Sequence, residues 1–513
     1  MKKLLLVAAL QLWCVQKKTF AQNRSNVWEL SYQLFVPDCG LDFSSGSPDT
    51  FSVWRNLDFF NTNASICDTT GQILFYTNGQ WIANRDDDTL MNSEQFNPGW
   101  ATDTFYSSGG GLGFEQGAIG LPDPGDSSSY YLFYITTEWY YHVDEGLYDD
   151  QPFHLSYSKI KMSLDNGLGG IPNGMKNVYA IEDTLWQGRI TACKHANGRD
   201  WWIISHKHKS DKFYIVLVSS EGVSPPLEQS IGDTLTEYYN YNGFIVDTDN
   251  AGQACFSPDG THYAFVDFLW NVYLFDFDRC TGTLSNFRKD SIGCLDESLC
   301  VTLGCSFSPN SRYLYVNTYQ RIFQYDLEAM DFASSRVQVA TVDSFGFPYI
   351  GYFFINQLAP DNKIYLGSWN GIEALHVIDQ PDSPGVACDV VQHGLVLPTW
   401  SSSVPNFPNY DLGALPGSPC DTVYTTNDTQ ITDHVFRFYP NPASKWLNIV
   451  YNLKDDALFE LFDLYGRKVA AVSLYNYFKN RTLDVSGLSE GVYAYSIRSK
   501  NTVLQNGKLA VVK

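Results

Sequence analysis

A chain of 513 residues, 44% of them apolar, is too long for one small domain and has material for more than one core. Its formal net charge of −22 repels phosphate backbones and anionic lipid, which excludes nucleic acid and acidic membrane surfaces as partners. The 33 Tyr and 33 Phe fall in short Val/Ile/Tyr/Phe runs broken by Gly, Asn, Asp and Pro, so an all-β protein is expected.

At the start, Lys2 and Lys3 precede an apolar run over residues 4–15 and then Thr19-Phe20-Ala21. This is the pattern of a secretory signal peptide spanning residues 1–21, with cleavage after Ala21. The apolar run is shorter than the roughly 20 residues that span hydrocarbon. Trp13 is too bulky to precede a lipoprotein cysteine at Cys14, and no later stretch is apolar enough to predict a membrane span in the mature protein.

The body carries an internal repeat. Phe256-Ser257-Pro258-Asp259-Gly260 leads into Tyr263-Ala264-Phe265-Val266, Phe307-Ser308-Pro309-Asn310-Ser311 into Tyr313-Leu314-Tyr315-Val316, and Leu358-Ala359-Pro360-Asp361-Asn362 into Ile364-Tyr365-Leu366. Successive prolines are 51 residues apart. Each phrase reads as strand, tight turn and strand, and about 15 residues later comes another strand ending in Asp278, Asp326 or Asp379. Roughly four strands per unit make one blade of a β-propeller. Weaker copies stand at Asp68-Thr69-Thr70-Gly71, Pro122-Asp123-Pro124-Gly125 and Ala196-Asn197-Gly198, giving six hairpin signals. Residues 28–51 and 386–406 are left to form a further blade that closes the ring. The reading is a propeller over residues 22–410 with seven blades, six or eight being the alternatives.

Ten cysteines remain after the signal peptide, an even number that fits disulfides formed during export. Cys294 and Cys300 are near enough in sequence to close one loop, and the other pairings stay open. No CxxC occurs, which argues against a zinc knuckle or a redox dithiol. Asp86-Asp87-Asp88 and Asp247-Thr248-Asp249 are candidates for Ca²⁺, without the full spacing of a calcium loop; no other cofactor is expected. HExxH, GxSxG and GxxxxGK[ST] are absent, and no catalytic residue is assigned. His206 and His208 lack an evident third metal ligand, and His195 stands where a turn cap is expected. Glu115, Asp144, Glu145 and Glu373 are candidates for a carboxylate pair at the central channel. Glu138-Trp139-Tyr140-Tyr141-His142 and Glu237-Tyr238-Tyr239-Asn240-Tyr241 fall between hairpins, where aromatic side chains either pack blades or stack on a ligand.

Residues 411–432, rich in Gly, Pro, Ser, Thr and Asp, read as a linker. Residues 433–513 then alternate strands and glycine turns as a small β-sandwich. Residues 431–513 hold eleven Lys and Arg against seven Asp and Glu, and the signal peptide adds four Lys, so residues 22–430 carry −30.

Gly40-Leu41-Asp42-Phe43-Ser44-Ser45-Gly46-Ser47-Pro48, Ile73-Leu74-Phe75-Tyr76-Thr77-Asn78-Gly79, Lys194-His195-Ala196-Asn197-Gly198 and the Phe-Ser-Pro-Asp phrases resemble a family of secreted Bacteroidota propellers that end in a sorting domain. The chain is also similar to WD40 and lactonase-like propellers, though it lacks the WD dipeptide. The C-terminal unit resembles the type A sorting domain of the type IX secretion system. The motif residues are Pro440, Asn441 and Pro442 at its opening, Gly466 in the Asp-Leu-Tyr-Gly-Arg turn, Gly491 and Tyr493 in the Glu-Gly-Val-Tyr turn, and Lys513 in the basic, apolar end. The resemblance implies recognition by the type IX translocon, delivery through the periplasm to the surface or medium, and removal of the sorting domain. For the body three activities stay open: a binding or adhesion propeller for glycan or protein, a secreted lactonase-like hydrolase, and a structural part of the surface or gliding apparatus.

Overall fold

The computed structural model describes residues 23–32, 37–105, 110–142, 147–235, 238–241, 244–247, 252–293, 301–343, 349–420, 435–453, 455–463, 465–477, 480–500 and 502–513. The chain divides into two compact units, Met1–Val423 and Tyr424–Lys513. The signal peptide with Ala21, and the proposed pair Cys294 and Cys300, lie outside the described residues.

The repeated phrase folds as the turn between the first two strands of a blade. In the first copy Ser257 Oγ accepts from the His262 amide at 2.9 Å and donates to Asp259 Oδ1 at 2.6 Å. In the second, Ser308 Oγ accepts from Tyr313 and donates to Asn310 in the same way. Gly260, Ser311 and Asn362 occupy the same turn position with φ of +73°, +62° and +65°. The left-handed backbone needed there selects glycine or a small polar residue.

Among the described residues of the first unit, seven antiparallel sheets follow one another as blades. Blade 1 is Val27–Leu30, Asp38–Asp42 and Asp49–Val53, and blade 2 is Ala64–Cys67, Ile73–Thr77 and Ile82–Asn84. Blade 3 is Ala118–Pro122, Ser129–Tyr134, His154–Lys161 and Val178–Glu182. Blade 4 is Thr191–Lys194, Trp201–His206 and Lys212–Ser219, edged by Gly222–Val223 and Leu227–Ser230. Blade 5 is Ala254–Phe256, His262–Val266, Asn271–Asp278 and Thr283–Ser291. Blade 6 is Thr302–Phe307, Tyr313–Thr318, Arg321–Asp326 and Val337–Thr341. Blade 7 is Phe353–Leu358, Ile364–Ser368, Ile372–Ile378 and Val390–Ser401. First strands of neighbouring blades touch, blade 2 on 3, 4 on 5, 5 on 6 and 6 on 7, so these strands surround the axis. Two hairpins are extra: Glu138–His142 with Leu147–Gln151, and Tyr238–Tyr241 with Phe244–Asp247.

Closure differs from the sequence expectation. Residues 28–51 and 386–406 do not share a blade, because Val390–Ser401 pairs with Ile372–Ile378 as the outer strand of blade 7. Blades 1 and 7 instead meet through side chains, with the Trp28 ring 5.8 Å from that of Tyr365. Residues 402–415 then run along the axis. Ser402 Oγ donates to the Phe60 carbonyl, and the Asn406 amide to that of Asn63. Asn406 Nδ2 donates to the carbonyls of Ala118 at 2.9 Å and Ile190 at 2.8 Å. Lys194 Nζ donates to the Tyr410 carbonyl, and the Leu415 amide to Ala196. Inner strands leave backbone groups unpaired toward the axis, and buried amides satisfy them. Gln116 bonds both the N–H and the C=O of Ala254, while Gln253 accepts from the amides of Cys305 and Asn356. Residues 411–420, expected as the start of the linker, are held to the propeller. Leu412 packs with the apolar cluster of blades 4 and 5, and Cys420 forms a disulfide with Cys280.

In the second unit, one sheet orders Val435–Tyr439, Trp446–Asn452 and Asn480–Asp484. The other orders Lys468–Leu474, Ala457–Phe462, Gly491–Ser499 and Thr502–Val511. An apolar cluster including Leu447, Ile449, Phe459, Leu461, Ile497 and Leu509 holds it together.

Candidate functional site

The segments that enter the inner strands of blades 2 and 7 meet the turn between the second and third strands of blade 7. Phe60 and Asn61 precede Ala64–Cys67, Tyr349 precedes Phe353–Leu358, and Trp369 and Asn370 form the turn after Ile364–Ser368. With Tyr32, Phe354 and Trp400 they line a cleft of about 470 Å³. Tyr32 and Phe60 stack at 5.7 Å, while Trp369 meets Phe354 edge-on at 5.1 Å and Trp400 meets Tyr349 edge-on at 6.1 Å. Gly371, at φ +67°, makes room for Tyr32, since a Cβ there would lie 2.3 Å from the ring. Phe60 and Tyr349 remain 40% and 54% exposed, so the aromatic wall faces solvent.

Polar groups are few and fixed. Trp400 Nε1 donates to Glu373 Oε1 at 3.0 Å, and Asn370 Nδ2 to the Ile350 carbonyl. Asn61 Nδ2 donates to the Gly113 carbonyl at 2.8 Å and to Glu115 Oε1 at 3.3 Å. Complete burial pushes the Glu115 carboxyl up to about 7, against the pull of the Arg189 guanidinium. Burial also raises the Tyr32 phenol, with Tyr349 adding to the effect. Rigid rings with a few placed amides stack on the apolar face of a ring-shaped ligand and pair with its hydroxyls.

A second cavity, about 310 Å³, lies where the repeated turns and residues 406–412 meet. Ser257, Pro258, Pro309 and Pro360 stand at its edge, and Cys193, Cys255 and Cys305 line it.

The residues singled out in the sequence are dispersed. Among the described residues, no three His, Cys, Asp or Glu side chains group as a metal site. Glu115 is buried beside Asn61, Glu373 is bonded to Trp400, and Asp144 and Glu145 lie outside the described residues. The Asp86-Asp87-Asp88 run folds as a turn in which Asn84 Oδ1 accepts the amides of Asp86 and Asp88. Asp247 ends its hairpin, and Thr248, Asp249 and Glu237 are outside the described residues. His206 is buried against Trp186 and Phe213. His195 caps its turn, accepting the Asn197 amide on Nδ1. Trp139, Tyr140 and Tyr141 are exposed on their hairpin, away from the lining of the cleft. The cleft aromatics have only a faint signal in the sequence. Trp270, Tyr319 and Trp369 recur about once per repeat at the turn between the second and third strands.

The C-terminal motif residues fall at turns and strand ends of the second unit. Asn441 Oδ1 accepts the Ala510 amide at 2.9 Å, joining the Pro440-Asn441-Pro442 opening to the last strand. Gly466 takes φ +75° in a turn where Asp463 Oδ1 accepts the amides of Tyr465 and Arg467. Gly491 begins a core strand, the buried Tyr493 donates to the Ser489 carbonyl at 2.6 Å, and Lys513 is exposed beyond the final strand.

Residues 437–512 match the family of secretion system C-terminal sorting domains. No curated protein matches the chain. Similar solved structures include a putative 6-phosphogluconolactonase from Bacteroides fragilis, at 7% identity over 74% of this chain and 97% of that one, with a TM-score of 0.35. A periplasmic gluconolactonase from Pseudomonas aeruginosa matches at 10% identity over 75% of this chain and 97% of that one, TM-score 0.32. The Dos1 propeller matches at 10% identity over 66% and 72%, TM-score 0.33. Likenesses this distant carry no argument about activity. The C-terminal module is a secretion system C-terminal sorting domain of the type IX route, and it sends the propeller to the cell surface or the extracellular space.

Proposed function

We propose that the exported propeller is a binding protein that takes a neutral carbohydrate in the cleft of Tyr32, Phe60, Tyr349, Phe354, Trp369 and Trp400. The supporting observation is an open cleft of about 470 Å³ whose described lining is six aromatic side chains and the amides of Asn61 and Asn370. Sugar rings present apolar C–H faces and hydroxyl edges, which match such walls and amides. Among the described residues no Lys or Arg lines the cleft, and residues 22–430 carry −30, which disfavours uronate or sulfated chains.

The test is a glycan array probed with the chain lacking residues 1–21. Binding to neutral glycans, weakened about fivefold or more in Trp400→Ala and Tyr349→Ala, is the expected result, since such rings contribute on the order of 1–2 kcal/mol. A silent array, or binding that both variants leave unchanged, rejects the reading.

A further inference from the structure

Three cysteines stand on the first strands of three successive blades, Cys193 on blade 4, Cys255 on blade 5 and Cys305 on blade 6. All line the cavity beneath the repeated turns. Two of them are neighbours: Cys255 Sγ lies 3.5 Å from Cys305 Sγ. The strands that carry them, Ala254–Phe256 and Thr302–Phe307, are in contact across the seam between blades. Both are unbonded thiols, and Cys305 Sγ is turned toward the Gln253 carbonyl at 3.2 Å. A bond requires the sulfurs to approach to about 2.05 Å, a change within reach of side-chain rotation when the strands already touch. Cys255 is half-buried and borders the cavity, whereas Cys305 is buried.

The chain is exported by way of the periplasm, where thiols are oxidised. It already carries one bridge, Cys280–Cys420. We propose that Cys255 and Cys305 form a second disulfide that joins the inner strands of blades 5 and 6. The reaction is exchange with a disulfide-carrying thiol oxidant. The thiolate of Cys255 attacks one sulfur of the oxidant, the mixed disulfide is resolved by Cys305, and the oxidant leaves as a dithiol. Two protein thiols lose two electrons and two protons, and the oxidant gains both. The product ties covalently a seam that Gln253, whose Oε1 accepts the Cys305 amide, already bridges by a hydrogen bond.

The test uses the exported full chain, alkylated and denatured without reduction, digested with trypsin and analysed by mass spectrometry. Cys255 falls in the fragment 213–279, and Cys305 in 290–312 together with Cys294 and Cys300. The expected result is fragment 213–279 covalently joined to 290–312, with complete loss of alkylation at Cys255. In Cys305→Ala the joined species disappears and Cys255 becomes alkylated, whereas Cys294→Ala and Cys300→Ala retain it. An alkylated Cys255 in the exported wild-type chain overturns the proposal. So does a joined species that survives Cys305→Ala.

Discussion

The propeller and the sorting module are both antiparallel β-structures, yet they are held together in different ways. The module closes two sheets over an apolar cluster, and its turns are short and local. The propeller brings together strands from distant parts of the chain, and polar groups do much of the joining at its axis. Asn406 alone bonds carbonyls of Ala118 and Ile190, 288 and 216 residues away. A local fold writes its signature in contiguous phrases, whereas a ring closed by scattered amides does not.

The largest expected effect tests whether the address resides wholly in the module. Deleting residues 431–513 should leave the propeller in the periplasm, as read by cell fractionation; finding it outside breaks the division of labour. Next comes the covalent tie of the propeller's end. Cys280→Ser opens a bridge spanning 140 residues and should lower stability by about 2–4 kcal/mol in denaturant unfolding. The isolated module, which contains no cysteine, should be indifferent to reductant.

Asn406→Ala tests the axial amides more finely. It leaves buried carbonyls unpaired and should destabilise by about 1–3 kcal/mol, while a conservative change at exposed Tyr477 in the module shifts the melting temperature little. A loss at position 406 no larger than that at 477 would mean the axis does not depend on these bonds.

The last effect concerns pH. Burial pushes the carboxyls of Glu29 and Glu115 up to about 7 from 4.5. A carboxyl with a raised folded-state pKa binds its proton more tightly in the folded chain. Its contribution is therefore full below about 4.5 and is lost as the pH rises through about 7. Glu115→Gln should flatten the decline of stability across that window, by at most about 1.4 kcal/mol per pH unit for one proton. An unaltered slope would show that Glu115 is ionised throughout.

Much of this contrast explains what was legible in the sequence. The 51-residue spacing marked the turns of blades 5, 6 and 7 because each turn needs the same left-handed residue at 260, 311 and 362. The sorting motif was legible because Gly466 and Tyr493 answer to local bonds, while Asn441 stands in a contiguous Pro-Asn-Pro phrase although its bond reaches the last strand. Ring closure was not, since it rests on the side chains of Trp28 and Tyr365 and on an axial segment without regular pattern. Nor was the cleft, whose Tyr32 and Trp400 come from opposite ends of the propeller and meet only because the ring closes. The Cys280–Cys420 bridge was likewise invisible to spacing, as the two residues become neighbours only after seven blades have formed.

The same bridge has a mechanical meaning. A pull on the tail, whether from the export machinery or from a surface anchor, reaches residue 420 first. From there it passes through a covalent bond into the turn after Asn271–Asp278 in blade 5. Residues 402–415 therefore bear little of the load, and the hydrogen bonds of Asn406 are not unzipped one by one. The propeller is built as a buckled bracelet, in which tension on the strap is taken by the clasp and not by the links.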